Sequence, residues 1–201
     1  MRSDRAESRA ATAEPRAERR LGPRLARAFF ARPTLVVARD LLGKILTFDG
    51  KAARLVEVEA YIGDEPASHA RFGLTKRNFP MFGPPGFTYV YRIYGMYDCL
   101  NLSTEPEGFG AAILVRGAEP VAGFAAGARL AGPGLLCAAF GITTAHTNLD
   151  LTRGPIAVRD AEPVPPRSVG RSHRIGVLDD RPWRFYVRGS AGVSGPRALT
   201  R

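Results

Sequence analysis

The stretch ILTFDGKAARLVEVEAY, residues 45–61, decides the fold of this chain. Two β-favouring runs meet at Asp49-Gly50, a pair that suits the positive φ angles of a two-residue turn, so the stretch predicts a β-hairpin. Because the side-chain period of a strand is two, alternate residues of the second run share a face. One face is predicted to carry Leu55, Glu57, Glu59 and Tyr61, and the other Val56, Val58 and Ala60.

The segment before the hairpin predicts a helix. PTLVVARDLLGKIL, residues 33–46, has apolar residues at helical spacing, with Pro33 suited to the first turn and Gly43 suited to the end. The apolar face of this helix is predicted to hold Leu35, Val36, Leu41 and Leu42.

The segments after the hairpin predict more strands and one further helix. FTYVYRIYGMYDCLNLS, residues 87–103, contains two aromatic-rich runs that meet at Tyr94-Gly95-Met96 and predicts a second hairpin. The other predicted strands are 111–120, 174–177 and 181–190, and the predicted short buried helix is 134–142, after Gly132-Pro133. The predicted connections are the long irregular loop 62–86 and the surface segment 150–168.

These elements predict an α+β fold, a single domain with a curved antiparallel or mixed β-sheet surrounded by helices. A chain of 201 residues has room for one domain with a real core. Residues 1–22 contain six arginines and four acidic residues but almost no large apolar side chains. Such a segment buries too little surface to offset its ordering entropy, so we expect a disordered basic tail and a domain over 23–201.

The charge of the chain favours a polyanionic partner. Lys and Arg number 29 against 19 Asp and Glu, a formal net charge of +10, and only Lys44, Lys51 and Lys76 are lysines. A surplus of this size attracts nucleic acid through counterion release, although a solvated basic surface gives the same composition. We find no apolar run of about 18 residues and expect no membrane span.

The cysteines and histidines do not have the spacing of a metal site. Cys99 and Cys137 form no CxxC pair, and the three histidines are not spaced as zinc ligands. We therefore expect two reduced, buried thiols in a cytosolic protein, with no metal and no cofactor.

Three features lie within about 45 residues of one another: VEVEAY at 56–61, a basic loop with His69 and TKRN, and YVYRIYGMYDCLN at 89–101. Taken singly, each has an ordinary explanation, because strand glutamates are usually solvated and tyrosine-rich strands are usually half-buried core. Glu57 and Glu59 project to the same predicted face, and the residues themselves do not separate them.

Together these features resemble the alkyladenine (3-methyladenine) DNA glycosylase family, over residues from about Leu35 to Ser194. The order and spacing of the motifs match throughout. The most specific stretches are LVEVEAYIGDEPASH at 55–69, RNFPMFGPPG at 77–86, YVYRIYGMYDCLN at 89–101, LVRGAEP at 114–120, GPG at 132–134 and RFYVRGS at 184–190.

The resemblance implies a repair enzyme that flips a damaged purine out of duplex DNA and hydrolyses its N-glycosidic bond. The implied substrates are alkylated or deaminated purines such as 3-methyladenine and hypoxanthine. Removal is monofunctional and leaves an abasic site. We expect a monomer that acts on double-stranded DNA in the cytoplasm, in association with the nucleoid, without a membrane partner.

The resemblance also assigns roles to seven residues. Glu59 activates the attacking water and Arg116 helps to hold that water, whereas Tyr94, at the tip of a protruding hairpin, inserts into DNA. The base-binding residues implied by the family are Tyr61, His69, Tyr91 and Asn101. Among these, Asn101 crowds the 2-amino position and so disfavours guanine.

Three positions depart from the family pattern, and two other functions stay open. Leu135 stands where relatives often place a lysine, Lys76 stands where a proline is frequent, and Arg92 is expected to point outward toward phosphates. The alternatives are a non-catalytic nucleic-acid binder of the same fold and, ranked last, an RNA-binding domain of similar shape.

Overall fold

The computed structural model describes residues 21–178 and 180–195. The predicted tail, apart from its last two residues, lies outside the described part, and the domain boundary stays a prediction. The strands are β1 Ile45–Phe48, β2 Lys51–Ile62, β3 Thr88–Ile93, β4 Tyr97–Ser103, β5 Ala111–Ala122, β6 Ala157–Arg159, β7 Val169–Ser172 and β8 Arg184–Val187. The helices are α1 Arg27–Phe30, α2 Thr34–Leu41, α3 Phe79–Phe82 and α4 Pro133–Phe140, with 3-10 turns at His69–Phe72, Thr144–His146 and Pro166–Ser168.

The eight described strands form one antiparallel sheet, which confirms the α+β fold class. Its main order is β3-β4-β5-β2-β1-β6, and β8 joins β2 and carries β7. The two long strands, β2 and β5, pair along most of their length at the centre of the sheet. The helices are few and short: α2 packs mainly on β2, and α4 packs on β4 and β5. No helix in the described ranges is both long enough and apolar enough to cross a bilayer.

Both predicted hairpins are confirmed, and both turns use positive φ angles. Asp49 and Gly50 have φ of 50° and 70° between β1 and β2. Tyr94 and Gly95 have nearly the same angles, 52° and 70°, between β3 and β4. Asp tolerates this left-handed conformation readily, whereas for a tyrosine it is uncommon.

Several predicted details are wrong. Val36 is 42% exposed, and the buried face of α2 is formed by Thr34, Val37, Ala38 and Leu41. Of the four residues predicted for this face, Leu41 and Leu42 are buried in the core and Leu35 packs against it, and only Val36 points away. The segment 174–177 makes a turn and not a strand, whereas the segment 150–168 includes β6, whose three residues are buried against β1. The loop 62–86 contains α3 and the 3-10 turn His69–Phe72.

The predicted face of β2 is also wrong at Leu55. The pairing of β2 with β5 is irregular between Leu55 and Glu57 and again between Glu57 and Val58. A bulge adds a residue to one strand and shifts the alternation of side chains. Leu55 consequently packs in the main core with Val58 and Ala60, while Glu57 and Glu59 belong to the other face.

The two faces of the sheet have different environments. One face packs against α2 and α4 and forms the main hydrophobic core. The sheet residues in this core include Leu55, Val58, Ala60, Val90, Leu100, Leu102, Ile113 and Val115. On β2 to β5 the alternate residues point to the opposite face, and the candidate site lies there.

Candidate active site

A row of side chains crosses four neighbouring strands on the face opposite the core. Tyr89 on β3 is paired with Asn101 on β4, Asn101 with Leu114 on β5, and Leu114 with Glu59 on β2. Because these residues are in register, the sheet itself brings together side chains that are up to 55 residues apart in sequence, as Glu59 and Leu114 are. Rigid strands therefore position the centre of the site.

Tyr89, Asn101 and Leu114 of this row lie on the floor of a cavity of about 630 Å³. The cavity has the size of a small-molecule site, and its lining includes five tyrosines and a histidine. Six of the seven predicted site residues line it, together with residues to which the sequence assigned no role in the site. The predicted ones are Tyr61, His69, Tyr91, Tyr94, Asn101 and Arg116; the others include Arg77, Tyr89, Cys99, Leu135 and Ile175.

Glu59 lies directly behind the cavity wall. It has no exposed surface and does not itself line the cavity. Its Oε2 accepts a hydrogen bond from the Tyr61 hydroxyl at 3.0 Å and from Arg116 Nη1 at 3.3 Å. Its Oε1 accepts from the Ile175 backbone N–H at 2.6 Å. All three donors belong to residues that line the cavity, so the carboxylate is one hydrogen bond away from it.

Burial raises the pKa of Glu59, because removing the carboxylate from water penalises its charged form. Arg116 acts in the opposite direction and favours the charged form, as do the hydrogen bonds from Ile175 and Tyr61. The balance is a carboxylate that is a stronger base than an exposed glutamate. Arg116 is only 8% exposed and lies between this carboxylate and the cavity.

Glu57 has a different environment. Its Oε1 accepts a 2.7 Å hydrogen bond from Arg184 Nε, and its Oε2 accepts one of 2.6 Å from the Ser194 backbone N–H. Glu57 and Arg184 both have fully buried side chains, and neither lines the cavity. A Cβ on Gly117 would lie 3.1 Å from Glu57 Oε2 and 2.2 Å from the Gly192 carbonyl oxygen, so only glycine fits beside this pair. The geometry therefore separates two glutamates that the sequence alone could not.

His69, Tyr89 and Tyr91 form an aromatic cluster in the wall. His69 packs edge-on against Tyr91, with ring centroids 4.6 Å apart, and its Nδ1 is 2.9 Å from the Tyr89 hydroxyl. Burial and the nearby charges of Arg77 and Arg71 lower the pKa of His69, so its ring is neutral at neutral pH. The cluster thus offers flat, uncharged surfaces for a ring to stack on.

Asn101 is fixed on the floor of the cavity by the backbone of its own hairpin. Its Nδ2 donates to the carbonyl oxygens of Tyr89 and Cys99, at 3.1 and 3.2 Å. These two bonds determine the orientation of the amide and leave its Oδ1 as the polar atom available to the cavity. The side chain is buried at 4% exposure and therefore has little freedom to move away from an incoming group.

Tyr94 is 83% exposed at the tip of the hairpin formed by β3 and β4, and it borders the cavity. Its neighbours Met96 and Tyr97 are also exposed, at 68% and 48%. The apolar tip therefore projects beside the opening of the cavity, on a turn whose backbone geometry is costly for tyrosine.

Arg174, its partner Glu65 and Ile175 also organise the site, and no local pattern in the sequence assigns them to it. The side chain of Arg174 is fully buried, donates to both carboxylate oxygens of Glu65 at 2.6 and 2.9 Å and donates to the Ala60 carbonyl at 2.8 Å. Its guanidinium carbon lies 4.5 Å from the centre of the Tyr61 ring. Arg174 also immediately precedes Ile175, whose N–H binds Glu59. The only available hint was the surplus of arginines, which does not say which of them are buried.

The positions that depart from the expected pattern lie around the site. Leu135 is half-exposed on α4 and lines the cavity. Arg92 is exposed, as expected, and its guanidinium donates to Asp98 at 3.0 and 3.1 Å; its contact with phosphates stays a prediction. Cys99 and Cys137 are free and buried, as predicted. Within the described part of the chain, no group of three or more His, Cys, Asp or Glu side chains is arranged to hold a metal ion.

Comparisons with known proteins confirm the resemblance to the family. Residues 28–191 match the model of the methylpurine-DNA glycosylase family. The relatives include curated proteins that each bear the name "Putative 3-methyladenine DNA glycosylase". One from Myxococcus xanthus is 48% identical over 86% of this chain and 94% of its own length. Another, from Bradyrhizobium diazoefficiens, is 46% identical over 88% of this chain and 94% of its own length. One from Anaeromyxobacter dehalogenans is 50% identical over 86% of this chain and 87% of its own length.

Proposed function

This chain belongs to the methylpurine-DNA glycosylase family, and we propose that it is a monofunctional enzyme that hydrolyses the N-glycosidic bond of alkylated or deaminated purines in duplex DNA. The observation that carries the proposal is the Glu59 carboxylate, which is hydrogen-bonded to three residues that line one aromatic cavity. The proposed lesions are 3-methyladenine and hypoxanthine, and the product is an abasic site. The general activity, that of a DNA glycosylase, is the one the family name states, and removal of a base by such an enzyme is a step of base excision repair.

The base must leave the duplex, because the glycosidic carbon is not accessible within the stack. We propose that Tyr94 fills the space that the base vacates, since a large exposed side chain on a rigid hairpin is suited to act as a wedge. The cavity beside this hairpin then receives the flipped base. Tyr61, His69 and Tyr91 offer it flat surfaces for stacking.

Cleavage of the glycosidic bond builds positive charge on the sugar in an oxocarbenium-like transition state. A carboxylate close to the sugar stabilises that charge and accepts a proton from the attacking water. We assign both roles to Glu59. Its raised pKa makes it a better base than an exposed glutamate, and Arg116 opposes the rise by favouring the ionised form.

The attacking water needs a place beside a carboxylate that is covered by its neighbours. The Tyr61 hydroxyl and Arg116 Nη1 both bind Oε2, on the side of the cavity. We propose that stacking of a base on Tyr61 displaces the hydroxyl from Oε2 and that water takes this position, held also by Arg116. Ile175 keeps Oε1 fixed meanwhile.

Asn101 is assigned to discrimination among purines. Its amide is immobilised by two backbone carbonyls and is almost completely buried on the cavity floor. A 2-amino group that lies against it requires space that the amide cannot vacate, so guanine fits poorly while adenine-like and hypoxanthine bases enter.

A duplex with a single deoxyinosine tests the proposal. We expect free hypoxanthine to be released and strand breaks to develop only after alkali, because no lysine lines the cavity to form a Schiff base. Borohydride should trap no covalent complex. Breaks without alkali would contradict the monofunctional mechanism, and binding without any release of base would indicate the non-catalytic binder.

The same proposal includes the setting in which the enzyme works. We propose a monomer that acts on chromosomal DNA in the cytoplasm, where it associates with the nucleoid through its basic surface. Gel filtration at micromolar concentration should give a particle of about the mass of one chain, and a dimer would contradict this part of the proposal.

A further inference from the structure

Arg77 places a guanidinium in the wall of the cavity. It follows Lys76 in the loop between β2 and β3, and its guanidinium carbon lies 5.6 Å from the centre of the Tyr91 ring. Burial is the main cause that lowers the pKa of His69, and the nearby charge of Arg77 acts in the same direction. Burial raises the pKa of Tyr89, and the charge of Arg77 partly opposes that rise. The side chain thus lies beside the space that a base would occupy.

The other charges at the cavity are balanced by partners. Arg116 is paired with the Glu59 carboxylate, and Glu57 is paired with Arg184. The ring of His69 is neutral at neutral pH. By contrast, within residues 21–178 and 180–195 no carboxylate lies within ion-pair distance of Arg77, which leaves its charge uncompensated at the wall.

We infer that Arg77 makes the cavity select electrically neutral damaged purines over cationic ones, an inference that rests on the proposed function. A purine alkylated at N3 or N7 carries a positive charge while it is still bonded to the sugar, whereas hypoxanthine is neutral. A cationic base that stacks on Tyr91 meets the like charge of Arg77, and the repulsion grows as DNA covers the opening and excludes water.

The tyrosine walls do not cancel this repulsion. Tyrosine faces attract cations, and an alkylated base would gain from Tyr61 and Tyr91. At Tyr91, however, the Arg77 guanidinium already occupies a position within cation–π distance. A neutral base loses nothing from this arrangement, since it stacks without a charge of its own. Arg77 therefore determines specificity, because it disfavours cationic bases and leaves neutral bases unaffected.

Replacement of Arg77 by glutamine tests the inference. The measurement is the rate of base release with enzyme in excess but below saturation, for 3-methyladenine from methylated DNA and for hypoxanthine from a deoxyinosine duplex. In R77Q we expect the ratio of the 3-methyladenine rate to the hypoxanthine rate to rise about four- to fifteenfold, the size expected for like charges roughly 10 Å apart at intermediate polarity.

Lys76→Gln is the matched control, because it removes the same charge one residue earlier and Lys76 does not line the cavity. It should leave the ratio of the two rates unchanged. An unchanged ratio in R77Q would overturn the inference; if both rates fell equally, Arg77 would be a phosphate contact. A rise of the ratio in K76Q as large as that in R77Q would also overturn it. If the unmodified protein released neither base, the proposed function itself would be wrong.

Discussion

Glu57 and Glu59 lie two residues apart on β2 and both are fully buried, but different parts of the chain hold them. Arg184 and the Ser194 backbone bind Glu57, in a cluster that is closed off from the cavity. Glu59 is bound by residues that all line the cavity. Burial alone therefore does not identify a catalytic carboxylate, whereas the identity of its partners does.

Arg116 connects the two regions. Its Nη1 is 3.3 Å from Glu59 Oε2, and its Nε is 3.4 Å from Glu57 Oε1. Two arginines thus serve two carboxylates, with Arg184 on the closed side and Arg116 on the side of the cavity. If this division is correct, substitutions on the Glu57 side should affect stability, and substitutions on the Glu59 side should affect catalysis.

The largest effect on stability is expected from Arg184→Met. This change leaves the Glu57 carboxylate buried without its closest cation, and breaking such a pair costs about 3–5 kcal/mol. Urea unfolding should reveal a loss of this size in the free energy of unfolding. The control R188M alters an exposed arginine of the same region and should change stability by no more than about 0.5 kcal/mol. Equal stabilities for R184M and R188M would remove the distinction between the two glutamates.

On the side of the cavity, Arg116→Met should slow excision by about 100-fold, in the range seen when one preorganised electrostatic group is lost from an active site. Loss of the guanidinium also raises the pKa of Glu59 further, because Arg116 favours the charged form. Protonated Glu59 cannot accept a proton, so activity falls as the pH drops through this pKa. In R116M the fall should begin at a higher pH than in the unmodified protein.

Arg116→Lys separates charge from geometry. The lysine retains the positive charge but not the planar guanidinium, so the acid limb of the rate profile should stay near its original position while the rate itself decreases. If the acid limb of the rate profile shifted equally in R116K and R116M, the charge of residue 116 would not be what sets the pKa of Glu59.

A smaller effect, about tenfold on the maximal single-turnover rate, is expected from Arg174→Lys. A lysine cannot bind both oxygens of Glu65 and the Ala60 carbonyl and still cover the Tyr61 ring. As a positioning residue, Arg174 should affect this rate and its pH profile more than lesion affinity. Arg181→Lys is the control, since Arg181 also contacts Glu65 but is more exposed, and a change below twofold is expected. An equal loss in both variants would contradict a special role for Arg174.

The smallest expected effect concerns stability as a function of pH. Burial raises the pKa of Glu59 in the folded state, so folding favours its protonated form. This contribution is fully present below the pKa of an unfolded glutamate and is lost as the pH rises through the folded pKa. The stability of the unmodified protein relative to E59Q should therefore decrease from acidic to neutral pH, as followed by thermal melting in both proteins. A difference that increases with pH would mean that folding favours the ionised carboxylate.

The local parts of this fold could be predicted from the sequence. Asp49-Gly50 and Tyr94-Gly95 specify tight turns, and Gly132-Pro133 marks the start of α4, because backbone preferences act over a few residues. The side-chain period of two along β3 also puts Tyr89, Tyr91 and Ile93 on one face, and all three line the cavity.

The parts that depend on distant pairing could not be predicted. The bulge that turns Leu55 into the core arises from the register with β5, which no local pattern encodes. The groups that distinguish Glu57 from Glu59 lie more than 100 residues later in the chain, at Arg184 and Ile175. The role of Glu59 came from family resemblance, and the structure adds the physical difference between Glu59 and Glu57.

The measurement that tests the central claim most directly is single-turnover excision of hypoxanthine by Glu59→Gln, with lesion binding measured on the same preparation. Glutamine fills the same space but cannot accept the proton of the water. We predict that lesion affinity is retained and that excision falls by at least a factor on the order of 100. Excision near the original rate by a folded E59Q protein would contradict the assignment of Glu59 as the catalytic base.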